Sequence, residues 1–270
     1  MMVGISDDLD LRKIAESGQC FRWRQNNEHS WRIIAADHCV YVTALDETEY
    51  LFECDEDTFH AVWERYFDLQ MSYRAIRERI APEGDPFLYT AAEHEKGIRI
   101  LRQDPWEMLV SFIISQNRNI PAIQRSIELL AEMCGGVKTD SRGEAYRAFP
   151  SPEAIAALSE QELKACRLGY RWKYIQAAAH AALHGDFCPA GLRDCTCDEA
   201  VRQLTALYGV GHKVASCVAL FGLHQLDAFP KDVWINRILA NEYPDGYPFD
   251  RYSPYNGVYQ QYMFAYYRHR

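Results

Sequence analysis

The chain lacks the features that would carry a protein into or across a membrane. No early segment has the charged-then-apolar form of a signal peptide, and no apolar run approaches the ~20 residues of a bilayer span. Its nine cysteines, scattered from Cys20 to Cys217, contain no C-x-x-C, so neither a disulfide framework nor a zinc site is signalled. The one close pair, Cys195 and Cys197, has no His or Cys companion at ligand spacing. No segment repeats internally. A soluble, intracellular protein with reduced thiols is expected, monomeric and without a bound metal.

Cationic surface is also scarce. A formal charge of −9 argues at first against a phosphate-rich partner. The distribution changes that reading. Residues 1–95 hold 20 acidic and 9 basic side chains, which leaves 18 acidic and 20 basic in residues 96–270, so the N-terminal part carries −11 and the remainder +2.

At 270 residues and 48% hydrophobic content the chain can bury the cores of two domains. Residues 19–54 alternate as strands do: Phe21 and Trp23 against Arg22 and Arg24, then Trp31 and Ile33 around Arg32, then HCVYVT and YLFEC. Gln19 and Arg22 fall on the surface side of that alternation. One helix is expected from about Thr58 to Ile80, closed by APEGDP. Beyond residue 100 the pattern predicts about seven helices. Asp104-Pro105-Trp106-Glu107 supplies an N-cap, a proline at the first helical position and a capping-box partner; Ser159 with Glu162 and Thr196 with Glu199 repeat the capping spacing. The expected class is α+β, with an antiparallel sheet domain and one helix over residues 1–95 and a helical domain over 96–270.

Two stretches carry chemistry. In LYGVGHKVASCVAL, Leu207 to Leu220, two glycines around Val210 join DEAVRQLTALY to HKVASCVALFGL in a helix-hairpin-helix of about residues 197–223. Gly209 and Gly211 allow a sharp turn and bring exposed amides, with His212 beside them, toward a phosphate; such a turn also serves as a plain connection. Lys213 opens the second helix at the positive end of its macrodipole, where a cation has no structural benefit. Nineteen residues later, in DAFPKDVW, Asp232 stands near the start of the next helix, where a carboxylate is favoured. An amine nucleophile with a carboxylate nearby suits attack on a sugar carbon through an oxocarbenium-like state.

With these residues in view, the chain resembles the helix-hairpin-helix DNA glycosylases, and within them the 8-oxoguanine DNA glycosylases. SGQCFRW (17–23), FIISQNRNI (112–120), RLGYRW (167–172), YGVGHKVASC (208–217), FPKDVW (229–234) and YQQYMF (259–264) occur in the family's order. The resemblance implies a double-stranded DNA partner containing oxidised guanine, in the cytoplasm or nucleoid if the source is prokaryotic, and no redox cofactor. It implies that Lys213 attacks C1′ and, as a Schiff base, β-eliminates the 3′ phosphate, with Asp232 as its partner. The Gly18 carbonyl would accept the N7 hydrogen of 8-oxoguanine. Cys217 and Phe264 would sandwich the flipped base, with Gln260 on its Watson–Crick edge. Asn117 would fill the gap in the stack, Tyr170 would wedge the duplex, and Arg171 would face the orphaned cytosine.

Taken singly, several of these residues have plainer readings: Phe264 as core among tyrosines, Cys217 as a small apolar residue, Asn117 as a helix C-cap, Arg171 as a solvated helix charge. Two departures from the family stand out. Ala122 occupies the place of an arginine that contacts the opposite cytosine, so discrimination of the opposite base is expected to weaken, and Trp234 replaces a phosphate-contacting histidine. No cysteine follows Cys217, which excludes the iron–sulfur cluster of some relatives. The alternatives are an alkylated-purine glycosylase, against which Lys213 speaks, and a non-catalytic helix-hairpin-helix DNA-binding module, in which Lys213 would contribute only non-specific affinity.

Overall fold

The structure is a computed structural model that describes residues 1–189 and 191–269. Five strands form an antiparallel sheet in the order β1-β5-β4-β3-β2: β1 Met2–Gly4, β2 Trp23–Asn27, β3 Ser30–Ala35, β4 His38–Ala44 and β5 Glu49–Phe52. Period-two alternation sets the register, since Trp31 opposite Val42 and Ile33 opposite Val40 put large side chains on one face. That face, with Trp23 and Phe52, buries against Phe59, Trp63 and Phe67. β1, which pairs with β5, lies outside the region where strands were expected.

The loop before β2 departs from the expected alternation. Gln19 and Arg22 are buried, 0% and 2% exposed, because each satisfies backbone groups of the helical side. Gln19 donates to the Arg99 carbonyl at 2.8 Å and accepts from the Leu101 N–H at 2.9 Å. Arg22 donates to Glu128 at 3.1 Å and to the Arg147 carbonyl at 2.7 Å. Sequence periodicity sees only the local strand, whereas these partners come from distant elements. They fix the Ser17–Phe21 loop, and Gly18 with it, against the helical domain.

The single helix expected over 58–80 is broken. Glu56–Thr58 runs through a π-helical turn at Phe59–Trp63 into Glu64–Tyr66, and Tyr73–Arg77 starts afresh with Ser72 as its N-cap. Between them Asp68 adopts φ 52°. Its buried carboxylate takes Arg102 at 2.6 Å, His224 at 3.0 Å and the Tyr73 hydroxyl at 3.0 Å, and these partners outweigh the helical propensity of the segment. Against the opposing effect of burial, His224 and Arg102 hold the Asp68 carboxyl low, at about 2. The apolar cores divide near this break. Tyr73, Ile76, Ile80, Leu88 and Ala92, placed with the sheet domain by the sequence, pack into the helical core.

More helices follow residue 100 than the seven expected, because short ones at Pro152–Ala156, Glu160–Ala165 and Phe249–Tyr252 interrupt the longer runs. A two-stranded ribbon, Val137–Thr139 with Ala145–Arg147, was not anticipated. Both capping boxes form at Ser159 and Thr196. Asp104 caps its helix by accepting from the Glu107 N–H at 2.8 Å, but the Glu107 carboxylate turns away from the box to accept from the Ala36 N–H at 2.7 Å. Burial there pushes the Glu107 carboxyl up to about 7. No helix among the described residues is long and apolar enough to cross a membrane.

Candidate active site

The Pro105–Ser115 helix is buried along nearly its whole length and packs against His212–Phe221, the hairpin's second helix. Around them Ser17–Gly18, Pro230–Asp232 and the C-terminal helix Asn256–His269 close a cavity of about 50 Å³. Its walls include Gly18, Lys213, Cys217, Asp232, Gln260 and Phe264, so six residues expected from distant parts of the sequence line one space.

Lys213 reaches this cavity from the first turn of its helix, with its ammonium 5.5 Å from the centroid of the Phe112 ring. No carboxylate among the described residues lies within 4.0 Å of it. Cys217, one turn on along the same helix, lines the cavity with it. Burial pushes the Cys217 thiol above its usual range, with Asp232 adding to the rise and a hydrogen bond and charge from Lys213 opposing it. Asp232 is the N-cap of Val233–Glu242, and its Oδ1 accepts from the Ile235 N–H at 2.8 Å. That bond fixes the carboxylate at a helix start, where the dipole favours its charge.

The cavity has room for a few water molecules and not for a two-ring base. Phe264 forms one of its walls. The ring leans on Gly18, where an added Cβ would lie 3.7 Å from Phe264 Cε1, and the Arg268 guanidinium lies over the ring, 5.3 Å from its centroid. Gly18 has φ +80°, a conformation that L side chains rarely adopt.

A second group converges at the outer rim. The Gln116 side chain donates to the Gly209 carbonyl at 3.1 Å, and its main-chain carbonyl accepts from Arg171 Nε at 2.9 Å. Gln116 thereby joins the hairpin, Arg171 and the neighbouring Asn117, yet it was not singled out from the sequence; its place before NRN was the available signal. Asn117 is exposed at φ 51°, just past the end of the preceding helix. Arg171 is 5% exposed rather than solvated, and lies 4.5 Å over the Tyr170 ring. Tyr170, itself 49% exposed, meets Tyr174 edge-on at 5.7 Å, and Tyr174 meets the exposed Tyr208 at 5.0 Å.

The hairpin's second helix has Gly211 as N-cap and no side-chain cap, unlike those begun by Asp104, Asn119, Ser159, Thr196 and Asp232. Its first amides are thus left open to an anion. His212 is exposed beside them, its Nδ1 3.3 Å from Ser216 Oγ.

Residues 2–109 match the family described as 8-oxoguanine DNA glycosylase, N-terminal domain, and residues 110–243 match the HhH-GPD superfamily of base excision DNA repair proteins. An N-glycosylase/DNA lyase of Saccharomyces cerevisiae is 30% identical over 260 residues, 87% of this chain and 69% of the relative. A solved structure of MBOgg1 with a low-affinity DNA ligand superposes with a TM-score of 0.93 at 37% identity, over 99% of this chain and 95% of that one. The 8-oxoguanine glycosylase/lyase of Clostridium acetobutylicum, solved with double-stranded DNA containing cytosine opposite 8-oxoG, gives 0.90 at 31% identity, over 100% of this chain and 98% of that one. With both halves matched in order and the whole chain superposed, the protein belongs to the 8-oxoguanine DNA glycosylases of the helix-hairpin-helix superfamily.

Proposed function

We propose that this chain works inside the cell as a DNA glycosylase and abasic-site lyase, removing 8-oxoguanine from duplex DNA and then cleaving the strand. The observation that carries this reading is Lys213: an amine with no carboxylate within 4.0 Å among the described residues, opening into a cavity that Asp232 shares. As the free amine, its Nζ attacks C1′, the C1′–N9 bond breaks, and the base leaves with the bonding electrons and takes up a proton. The Asp232 carboxylate stabilises the positive charge that develops on the sugar. The C1′–O4′ bond then opens, O4′ taking up a proton as the nitrogen gives one up, which leaves a Schiff base at C1′; loss of a C2′ proton eliminates the 3′ phosphate, and hydrolysis of the C=N bond releases the enzyme.

The remaining residues recognise and hold the substrate. Phe264 swings from Gly18 and packs the base against Cys217, Gln260 meets the Watson–Crick edge, and the Gly18 carbonyl accepts the N7 hydrogen. The open amides at Gly211 and His212 hold a backbone phosphate. Asn117, Tyr170 and Arg171 occupy the gap, the kink and the orphaned base. A duplex carrying one 8-oxoguanine, labelled at its 5′ end, tests the reading. Strand cleavage without added base or heat supports it, whereas base release with an intact strand would remove the lyase step.

A further inference from the structure

The base cavity contains a polar group that the mechanism above does not use. Gln261, next to Gln260 on the C-terminal helix, is 3% exposed and lines the same cavity. Its Nε2 donates to Gln260 Oε1 at 3.2 Å. Its own Oε1 is buried and has no hydrogen-bond partner among the described residues. A buried carboxamide oxygen left unpaired is destabilising, so its retention beside a ligand cavity calls for a donor supplied by the ligand. Gln260 Oε1, with one lone pair engaged by Gln261, keeps a second for the base.

Two carboxamide oxygens on adjacent residues match an edge with two adjacent donors. A guanine-type base has that edge, in its ring N1–H and its exocyclic 2-amino group. Adenine presents a donor beside an acceptor and does not match. We infer that Gln261 is a specificity-determining residue, whose Oε1 accepts from the 2-amino group while its amide holds Gln260 in position for N1–H. The inference rests on the proposed excision of 8-oxoguanine.

The test compares single-turnover excision of 8-oxoguanine with that of 8-oxohypoxanthine, the same base without the 2-amino group, by the wild type and Gln261→Met. The ratio of the two rates cancels differences in extrusion that belong to the duplex. It should fall about tenfold in Gln261→Met, the loss expected for one hydrogen bond. Gln261→Glu, which keeps an acceptor there, should hold the ratio near that of the wild type. The melting temperature of Gln261→Met should be unchanged or higher, since an unpaired buried acceptor has been removed. An unchanged ratio, or equal losses on both substrates, would overturn the inference; should the Met variant not fold, Gln261→Ala serves the same comparison. Failure of the wild type to excise either base is a separate result, and would refute the proposed function itself.

Discussion

The main chain of Gly209 lies against the ring of Tyr174, so close that a Cβ added at 209 would fall 2.1 Å from Tyr174 Cγ. Gly209 also has φ +81°. Gly209→Ala therefore forces the hairpin off the tyrosine and is expected to destabilise the protein by about 1–3 kcal/mol, the range for overpacking. DNA affinity should fall with it, because Gln116 holds the same residue. Thermal melting and fluorescence anisotropy on an abasic-site duplex check this, and adding Tyr174→Ala should restore part of the stability by vacating the space.

Glu107 makes stability depend on pH. Its folded carboxyl is raised to about 7, well above the unfolded range, chiefly by burial. Its contribution is thus fully present below the unfolded value, near 4.3, and is lost as pH rises through about 7. Glu107→Gln keeps an acceptor for the Ala36 N–H and removes the titration. The variant should gain stability over the wild type between pH 5 and 8, by about 2–3 kcal/mol at the upper end as an upper bound. Urea unfolding of both proteins at several pH values measures it, and parallel curves would contradict the assignment.

Phe264→Ala removes one face of the proposed base sandwich, a contact worth about 1–3 kcal/mol per base in comparable stacks. Excision should slow by about one to two decades, while cleavage of a preformed abasic site falls less. Equal losses in the two assays would place Phe264 in support of the fold.

Arg171, proposed to face the orphaned base, and the neighbouring Arg118 both donate to main-chain carbonyls. Arg118 donates to Ser126 Oγ at 2.6 Å and to the Arg167 carbonyl, while Arg171 rests on the Gln116 carbonyl. Burial, and the neighbouring charge of Arg171, pull the Arg118 guanidinium below its usual range. With Ala122 in place of the family arginine, 8-oxoguanine opposite C should be excised no more than about tenfold faster than opposite A, G or T. Single-turnover rates on four duplexes test this; a hundredfold preference for C would contradict it, and Arg118→Ala would then show whether that side chain supplies the missing contact.

The sequence makes the residues of the cavity more legible than the scaffold. Lys213 and Asp232 were visible because each sits at a helix start, a local feature, and the structure brings them to one cavity. Gln19, Arg22 and Gln116 were misread or passed over because their partners lie far along the chain, at Arg99, Arg147 and Gly209. Local periodicity carries no information about such bonds. The break at Asp68 has the same origin, since a helical pattern cannot show that Arg102 and His224 compete for the carboxylate. The QQ pair in YQQYMF does not show that both glutamines face one cavity, because adjacent positions on a helix point in different directions.

The most direct test of the account is covalent trapping. Wild-type protein incubated with an 8-oxoguanine duplex and borohydride should form a stable protein–DNA adduct, whose attachment maps to Lys213 by peptide mass analysis. Lys213→Gln should bind the same duplex and form none. Adduct from Lys213→Gln in wild-type yield would show that another amine is the nucleophile and would contradict the account.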